Sequence, residues 1–181
     1  MTDTSMDSTA RRLGRRSAAL SFRLNQYVEW LCAAILAVMI LDVGIGAFGR
    51  YLIELPVTWT EELARYLMIW AALLAISCGV ARREHVAVTA LLDKLPKEAR
   101  RQAGVAIDVL GFAFFAFLGY FGIDMTAQGA TQYATIFEMT MWLPFAAVPI
   151  SSALACVQLV LTGIRDFNLG TAPATLVKEA Q

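Results

Sequence analysis

The sequence has few of the residues that build metal and cofactor sites. Its 181 residues include three cysteines and one histidine, and no two cysteines have CxxC spacing. The cysteines all fall in apolar stretches, so we expect neither a structural disulfide nor a zinc site. A haem held by two histidines cannot form within the chain. Phosphate-loop, GxSxG and HExxH motifs are absent as well, and we expect no enzyme activity, no cofactor and no bound metal.

Charged residues are also scarce. They make up 17% of the chain, whereas 58% of its residues are hydrophobic, and an average soluble domain has roughly a quarter of its residues charged. The 15 Lys and Arg balance the 15 Asp and Glu. Net charge therefore points to no partner, and we expect no nucleic-acid partner. Water is not the main solvent of this protein.

Four long apolar stretches predict an all-α membrane protein with four transmembrane helices. The first contains 19 residues between Trp30 and Phe48, interrupted only by Asp42, and spans about 28 Å as a helix. Without a small-residue cleavage site after a short apolar region, it is interpreted as a helix and not as a signal peptide. Pro149 is expected to kink the fourth helix. The predicted helices are 27–52, 59–80, 103–127 and 140–165.

The placement of basic residues predicts the orientation. Of the 15 Lys and Arg, 13 lie in the leading segment, in the connection between helices two and three, and in the tail. Basic residues resist translocation, so these parts are expected in the cytoplasm, with both termini inside. The predicted organisation is a basic cytoplasmic arm (1–26) attracted to membrane lipids, a transmembrane domain (27–166) and a cytoplasmic tail (167–181).

The connection between helices two and three has a helical apolar face of its own. Val88, Leu91, Leu92 and Leu95 follow i, i+3, i+4, i+7 spacing, and Pro96 ends the pattern. We interpret residues 84–95 as a short amphipathic helix on the cytoplasmic membrane surface. A cytoplasmic helix packed on another protein is the alternative. The candidate interfacial residues of this region are Arg82, Arg83 and His85.

A cluster of charges lies at the outer end of helix two. Thr58 and Glu61 have capping-box spacing, and Glu61 and Glu62 lie at the positive end of the helix dipole. Arg65 is close enough in sequence to pair with either of them. Capping explains these charges structurally. Ionisable groups this close to hydrocarbon normally face protein, so contact with another subunit or a solute path is the alternative, and both can hold.

Asp42 is the acidic residue that lies deepest in helix one. It is expected to need a partner, and the candidates are Arg50, Arg65 or a group on a neighbouring subunit. Asp124 approaches the same outer side from helix three. A proton relay is the weaker reading of Asp42, because no second carboxylate lies near the midplane.

Nothing in the sequence indicates a complete transporter. We find no inverted repeat, and no helix is interrupted near its middle by a Gly or Pro pair that would expose backbone to a solute. A subunit that works within a larger assembly is the economical interpretation.

The segment between Arg50 and Arg101 carries a family resemblance. It contains Arg50-Tyr51, then the segment from Trp59 to Tyr66 with sequence WTEELARY, then His85 and finally Leu95-Pro96. These features resemble the small membrane subunit of tripartite ATP-independent periplasmic (TRAP) transporters, the DctQ-like family.

The resemblance implies a scaffold subunit in a bacterial inner membrane. It would pair with a large membrane subunit that carries the solute and sodium sites. A periplasmic binding protein would deliver the solute, typically a carboxylate or another organic acid. The transport domain of the large subunit would move as an elevator against the static part to which this chain belongs.

On this basis the outer connections around Glu54 and Glu138 are expected to meet the binding protein, and Arg65 is expected to be important for assembly with the large subunit. One rival is a stand-alone oligomeric transporter that uses Asp42 or Glu62. Another is a membrane anchor of a respiratory complex. The candidate subunit-interface residues are Asp42, Arg50, Trp59, Glu61, Glu62, Arg65 and Asp124.

Overall fold

The computed structural model describes residues 3–52, 58–82, 96–134, 136 and 138–169. This part of the chain is helical apart from one antiparallel bridge between Tyr133 and Thr140. Four of its helices are long and apolar enough to cross a membrane, which confirms the predicted fold class. The helices are α1 (Asp3–Leu52), α2 (Trp59–Arg82), α3 (Lys97–Gly129), the short α4 (Trp142–Phe145) and α5 (Ala147–Leu169).

The molecule exposes its large apolar side chains and buries small and polar ones. Leu41, Leu110 and Phe117 are more than 60% exposed, whereas Gln158 and Thr162 are completely buried. A water-soluble protein shows the reverse distribution. In lipid, apolar surface gains little from burial, so helices associate through close packing of small residues and through polar contacts.

Helix α1 is much longer than predicted at its amino-terminal end. It begins at Asp3, so it includes most of the segment that the sequence analysis set apart as an arm. The extension follows from one face of the helix, which repeats at intervals of three and four residues and packs against α2 and α5. Polar and small residues dominate this face where it is most deeply buried. Its fully buried members are Gly14, Ser17, Ser21, Asn25, Val28, Asp42 and Gly49.

The fourth apolar stretch is broken close to the expected proline. Helix α4 ends at Phe145 and α5 begins at Ala147, with Ala146 as a turn residue between them. Pro149 has no N–H to donate to the carbonyl of Phe145 one turn earlier, and its ring crowds that carbonyl. The break therefore falls three residues before the proline.

Helix α5 is the centre of the arrangement. It packs against α1, α2 and α3, and α1 also packs along α2. Among the described residues, α3 packs only against α5 and α4 and has no close approach to α1 or α2. The fold is thus a compact α1–α2–α5 unit with α3 attached to one side through α5.

Glycines allow the close approach of α3 and α5. A Cβ atom on Gly122 would lie 3.1 Å from Cδ and 3.2 Å from the backbone N of Pro149. On Gly129 it would lie 2.5 Å from Cδ2 of Phe145. On α1, a Cβ atom on Gly46 would meet Thr60 of α2, whereas one on Gly44 would have no neighbour within 4 Å.

Candidate functional site

Glu62 is the buried acidic residue that joins α2 to the connection between α3 and α4. Only 8% of the residue is exposed. The hydroxyl of Tyr66, one turn later, donates a hydrogen bond to Oε1 at 2.6 Å. The backbone N–H of Ile136 donates to Oε2 at 3.0 Å. Each carboxylate oxygen therefore has a partner, and one of these partners lies 74 residues away in the sequence.

The connection that Glu62 contacts is a small hairpin, residues 130–141. The N–H of Ala134 donates to the carbonyl of Met139 at 2.8 Å, and the N–H of Met141 donates to that of Gln132 at 2.9 Å. Glu138, near the tip, has a φ of 50°, a conformation that costs a residue with a Cβ some energy. Its side chain is exposed.

The other charges of the predicted cluster have different surroundings. Glu61 is exposed and forms an ion pair with Arg50 of α1. Arg65 is exposed on α2, and no ion pair joins it to another described residue. The sequence analysis treated Arg65 as the important residue of this cluster, but the structure gives the buried, bonded position to Glu62.

A second ion pair joins the carboxyl-terminal end of α2 to the middle of α1. Nε of Arg82 donates to Oε1 of Glu29 at 2.8 Å, and Asn25 donates to the same oxygen at 2.5 Å. The sequence analysis missed Glu29, although an acidic residue just before an apolar run, with a basic residue just after the next one, is a recognisable signal for an antiparallel pair.

In one ion pair α1 supplies the basic residue, and in the other it supplies the acidic residue. Together the two pairs fix the register of the α1–α2 hairpin. We expect Arg82→Glu to weaken the pair by roughly 0.5 kcal/mol, because both side chains are partly exposed and solvent screens them. The double exchange Glu29→Arg with Arg82→Glu restores the attraction and should recover the lost thermal stability of the purified chain. A double variant no more stable than Arg82→Glu alone would contradict this role.

Asp42 is buried between the helices, and the described residues offer its carboxyl group no hydrogen bond. Only 4% of it is exposed, and neither carboxylate oxygen has a hydrogen-bond partner among the described residues. Arg50, one of the partners considered from the sequence, is engaged by Glu61. One turn beyond Asp42, Gly46 packs so tightly on α2 that a Cβ there would lie 2.6 Å from Oγ1 of Thr60.

A polar contact between α1 and α5 was not foreseen. Ser21 Oγ donates to Oε1 of Gln158 at 2.7 Å, and Gln158 is completely buried. Thr162, one turn later, donates to the carbonyl of Gln158 at 2.8 Å. Single uncharged polar residues do not interrupt an apolar stretch in a hydropathy profile, so Gln158 and Thr162 did not stand out. The signal for this polar face is the helical spacing of Ser151, Ala155, Gln158 and Thr162.

The remaining predicted residues are scattered over the surface or lie outside the described residues. Trp59 is 40% exposed at the start of α2, and exposed Asp124 accepts a hydrogen bond from Gln128 at 2.9 Å. The residues on which the structure gives no information are Glu54, Arg83, His85 and the predicted amphipathic helix at 84–95. The described residues contain no group of three side chains able to hold a metal ion.

Together, the apolar exterior and the polar helix contacts define a multi-pass membrane protein whose helices are joined by internal hydrogen bonds. A sequence model of the family described as tripartite ATP-independent periplasmic transporters, DctQ component, matches residues 35–169. The chain therefore belongs to this family, as the resemblance indicated.

Individual relatives agree with the family. The chain is 25% identical, over 84% of its length, to the sialic acid TRAP transporter permease protein SiaT of Haemophilus influenzae. It is 35% identical over 44% of its length to the small permease protein SiaQ of Vibrio cholerae, and 27% identical over 64% to the C4-dicarboxylate small permease protein DctQ of Rhodobacter capsulatus. The matched regions cover 25%, 43% and 52% of these three relatives.

Proposed function

We propose that the chain is the small membrane subunit of a TRAP transporter and acts as a scaffold. It pairs with a large membrane subunit in the bacterial inner membrane. The complex imports an organic acid that a periplasmic binding protein delivers, and a sodium gradient drives the import. The small subunit itself has no catalytic role.

One observation carries the scaffold assignment. Buried polar side chains such as Glu62 and Gln158 are used in contacts that hold the chain together instead of lining a solute path. The outer surface of the described helices is apolar. Such a molecule supplies a rigid membrane-embedded body, and the names of its relatives, which include sialic acid and C4-dicarboxylate transporters, support an organic acid as the solute.

Reconstitution in vesicles tests this proposal. The chain, the large subunit and the binding protein encoded beside it are combined, and uptake of a panel of labelled organic acids is measured with and without an inward sodium gradient. We expect uptake only with all three proteins and the gradient. Uptake by vesicles that contain this chain alone would instead support the stand-alone transporter that uses Asp42 or Glu62.

The proposed topology places both termini in the cytoplasm. Fusions of alkaline phosphatase and of green fluorescent protein to each end test it, since the first is active outside the inner membrane and the second fluoresces inside. We expect fluorescence and no phosphatase activity at both ends. Termini on opposite faces would contradict the four-crossing topology.

A respiratory anchor is the less favoured alternative. It predicts that the chain co-purifies with redox subunits. The scaffold proposal predicts that a hydrophobic permease co-purifies instead.

A further inference from the structure

The buried carboxylate of Glu62 is placed to control the hairpin at residues 130–141. Its Oε2 accepts the N–H of Ile136 near the hairpin tip, and its Oε1 is held by Tyr66 of the same helix. Removing the acceptor of such a hydrogen bond leaves its donor unsatisfied, which costs free energy. Glu62 therefore ties the position of the tip to that of α2.

Glu62 meets the hairpin close to its tip. Among the described residues, backbone bonds join the two sides of the hairpin at Gln132–Met141 and Ala134–Met139. Two exposed apolar residues, Tyr133 and Met139, flank the tip, and Ile136 itself is 44% exposed. Glu138 takes up its left-handed conformation in the same turn. The bond from Ile136 to Glu62 therefore links the described part of the tip to α2.

We propose that Glu62 is a positioning residue for the docking of the binding protein: it holds the 130–141 hairpin in the conformation that presents Glu138 and the apolar residues beside it. This proposal rests on the proposed function, because it assumes that the hairpin lies outside the membrane and meets the binding protein. Glu62 itself is buried and does not touch the binding protein.

Four variants separate the reach of the side chain from its charge. Glu62→Ala removes both bonds, and Glu62→Asp keeps the charge but shortens the side chain by one methylene. Glu62→Gln keeps the length, since its carbonyl can accept from Ile136 while its amide donates to Tyr66. Glu61→Ala removes the neighbouring carboxylate, which pairs with Arg50, and serves as the control for the hairpin.

The first readout is hydrogen exchange of the hairpin in the purified complex of both membrane subunits. We expect the peptide that contains Ile136 to exchange about tenfold faster in Glu62→Ala and in Glu62→Asp, because one buried hydrogen bond is lost. Glu62→Gln and Glu61→Ala should exchange like the wild type. Unchanged exchange in both Glu62→Ala and Glu62→Asp would overturn the proposal. Glu62→Asp keeps this test decisive if Glu62→Ala fails to fold.

The second readout is uptake in vesicles at increasing concentrations of solute-loaded binding protein. We expect Glu62→Ala and Glu62→Asp to raise the KM for binding protein by about tenfold and to leave the maximal rate and co-purification with the large subunit intact. Glu62→Gln should restore a KM close to that of the wild type. Faster exchange with an unchanged KM would overturn the docking role. If the wild-type complex does not respond to binding protein at all, the proposed function fails, and that result is visible before any variant is made.

Discussion

Gly122→Leu is expected to detach α3 from α5 and to destabilise the chain by about 3 kcal/mol, the upper part of the usual range for overpacking. The added side chain meets the backbone N of Pro149 as well as its ring and Val148. The backbone at Pro149 lies just after the break between α4 and α5, so it cannot move aside without disturbing the turn between these helices. Because α3 packs only on α5 and α4 among the described residues, no other contact compensates.

The separation of the two helices can be measured directly with an engineered disulfide. A Cβ on Gly119 would lie 3.4 Å from that of Ser152, close to the spacing of disulfide-bonded cysteines. In a Gly119→Cys, Ser152→Cys chain without its native cysteines, oxidation should form the bond readily. Adding Gly122→Leu should sharply lower its yield.

Gly104→Leu is the matched control, since it also lies on α3 but a Cβ there has no neighbour within 4 Å. It should leave both the disulfide yield and the thermal stability unchanged. Equal losses with Gly104→Leu and Gly122→Leu would show that a larger side chain anywhere on α3, and not the contact with Pro149, causes the effect.

Asp42→Val is expected to act in the opposite direction and to stabilise the purified chain by about 2 kcal/mol. A carboxyl group that is buried without a partner is costly, and an Asp at the centre of a membrane helix costs roughly 3 kcal/mol. Valine is the apolar residue closest to it in size that keeps the contact filled. Asp42→Asn should give a smaller gain because its amide is still polar and unbonded.

Thermal unfolding in one detergent measures the effect of these variants. Asp124→Asn serves as the control, because Asp124 is exposed and already bonded to Gln128, and we expect no change in its unfolding temperature. A loss of stability in Asp42→Val would mean that the carboxyl group has a stabilising partner. If the stabilised Asp42→Val chain no longer supports uptake, Asp42 is needed for transport and not for folding.

Hydropathy predicted the helices well because each span must satisfy its backbone hydrogen bonds internally, whatever its neighbours are. The neighbours could not be predicted in the same way. The apolar faces of α3 are equivalent in contact with lipid, and glycines such as Gly119 and Gly122 mark the face that packs on α5. The extension of α1 was missed because its arginines suggested a separate arm, although Ser17, Ser21 and Asn25 continue the buried face of the helix.

The candidate site was only partly predictable. The sequence predicted a charge cluster at the start of α2 and gave Arg65 the role in subunit assembly, whereas Glu62 is the buried and bonded residue of the cluster in the structure. The burial of Glu62 depends on Ile136, which lies beyond the whole of α3 in the sequence. Local patterns such as capping boxes do not contain that information. Glu29 and Gln158 were overlooked for a related reason, since their importance comes from Arg82 and Ser21 on other helices.

The central position of α5 has a consequence for biosynthesis. During translation α1 and α2 can associate as soon as both are inserted, because Arg50 with Glu61 and Glu29 with Arg82 already match. Helix α3 then enters the bilayer with no neighbour in the described part of this chain. Its packing partner α5 is the last helix to be synthesised, so assembly of the four membrane spans in the newly made protein depends on the insertion of α5.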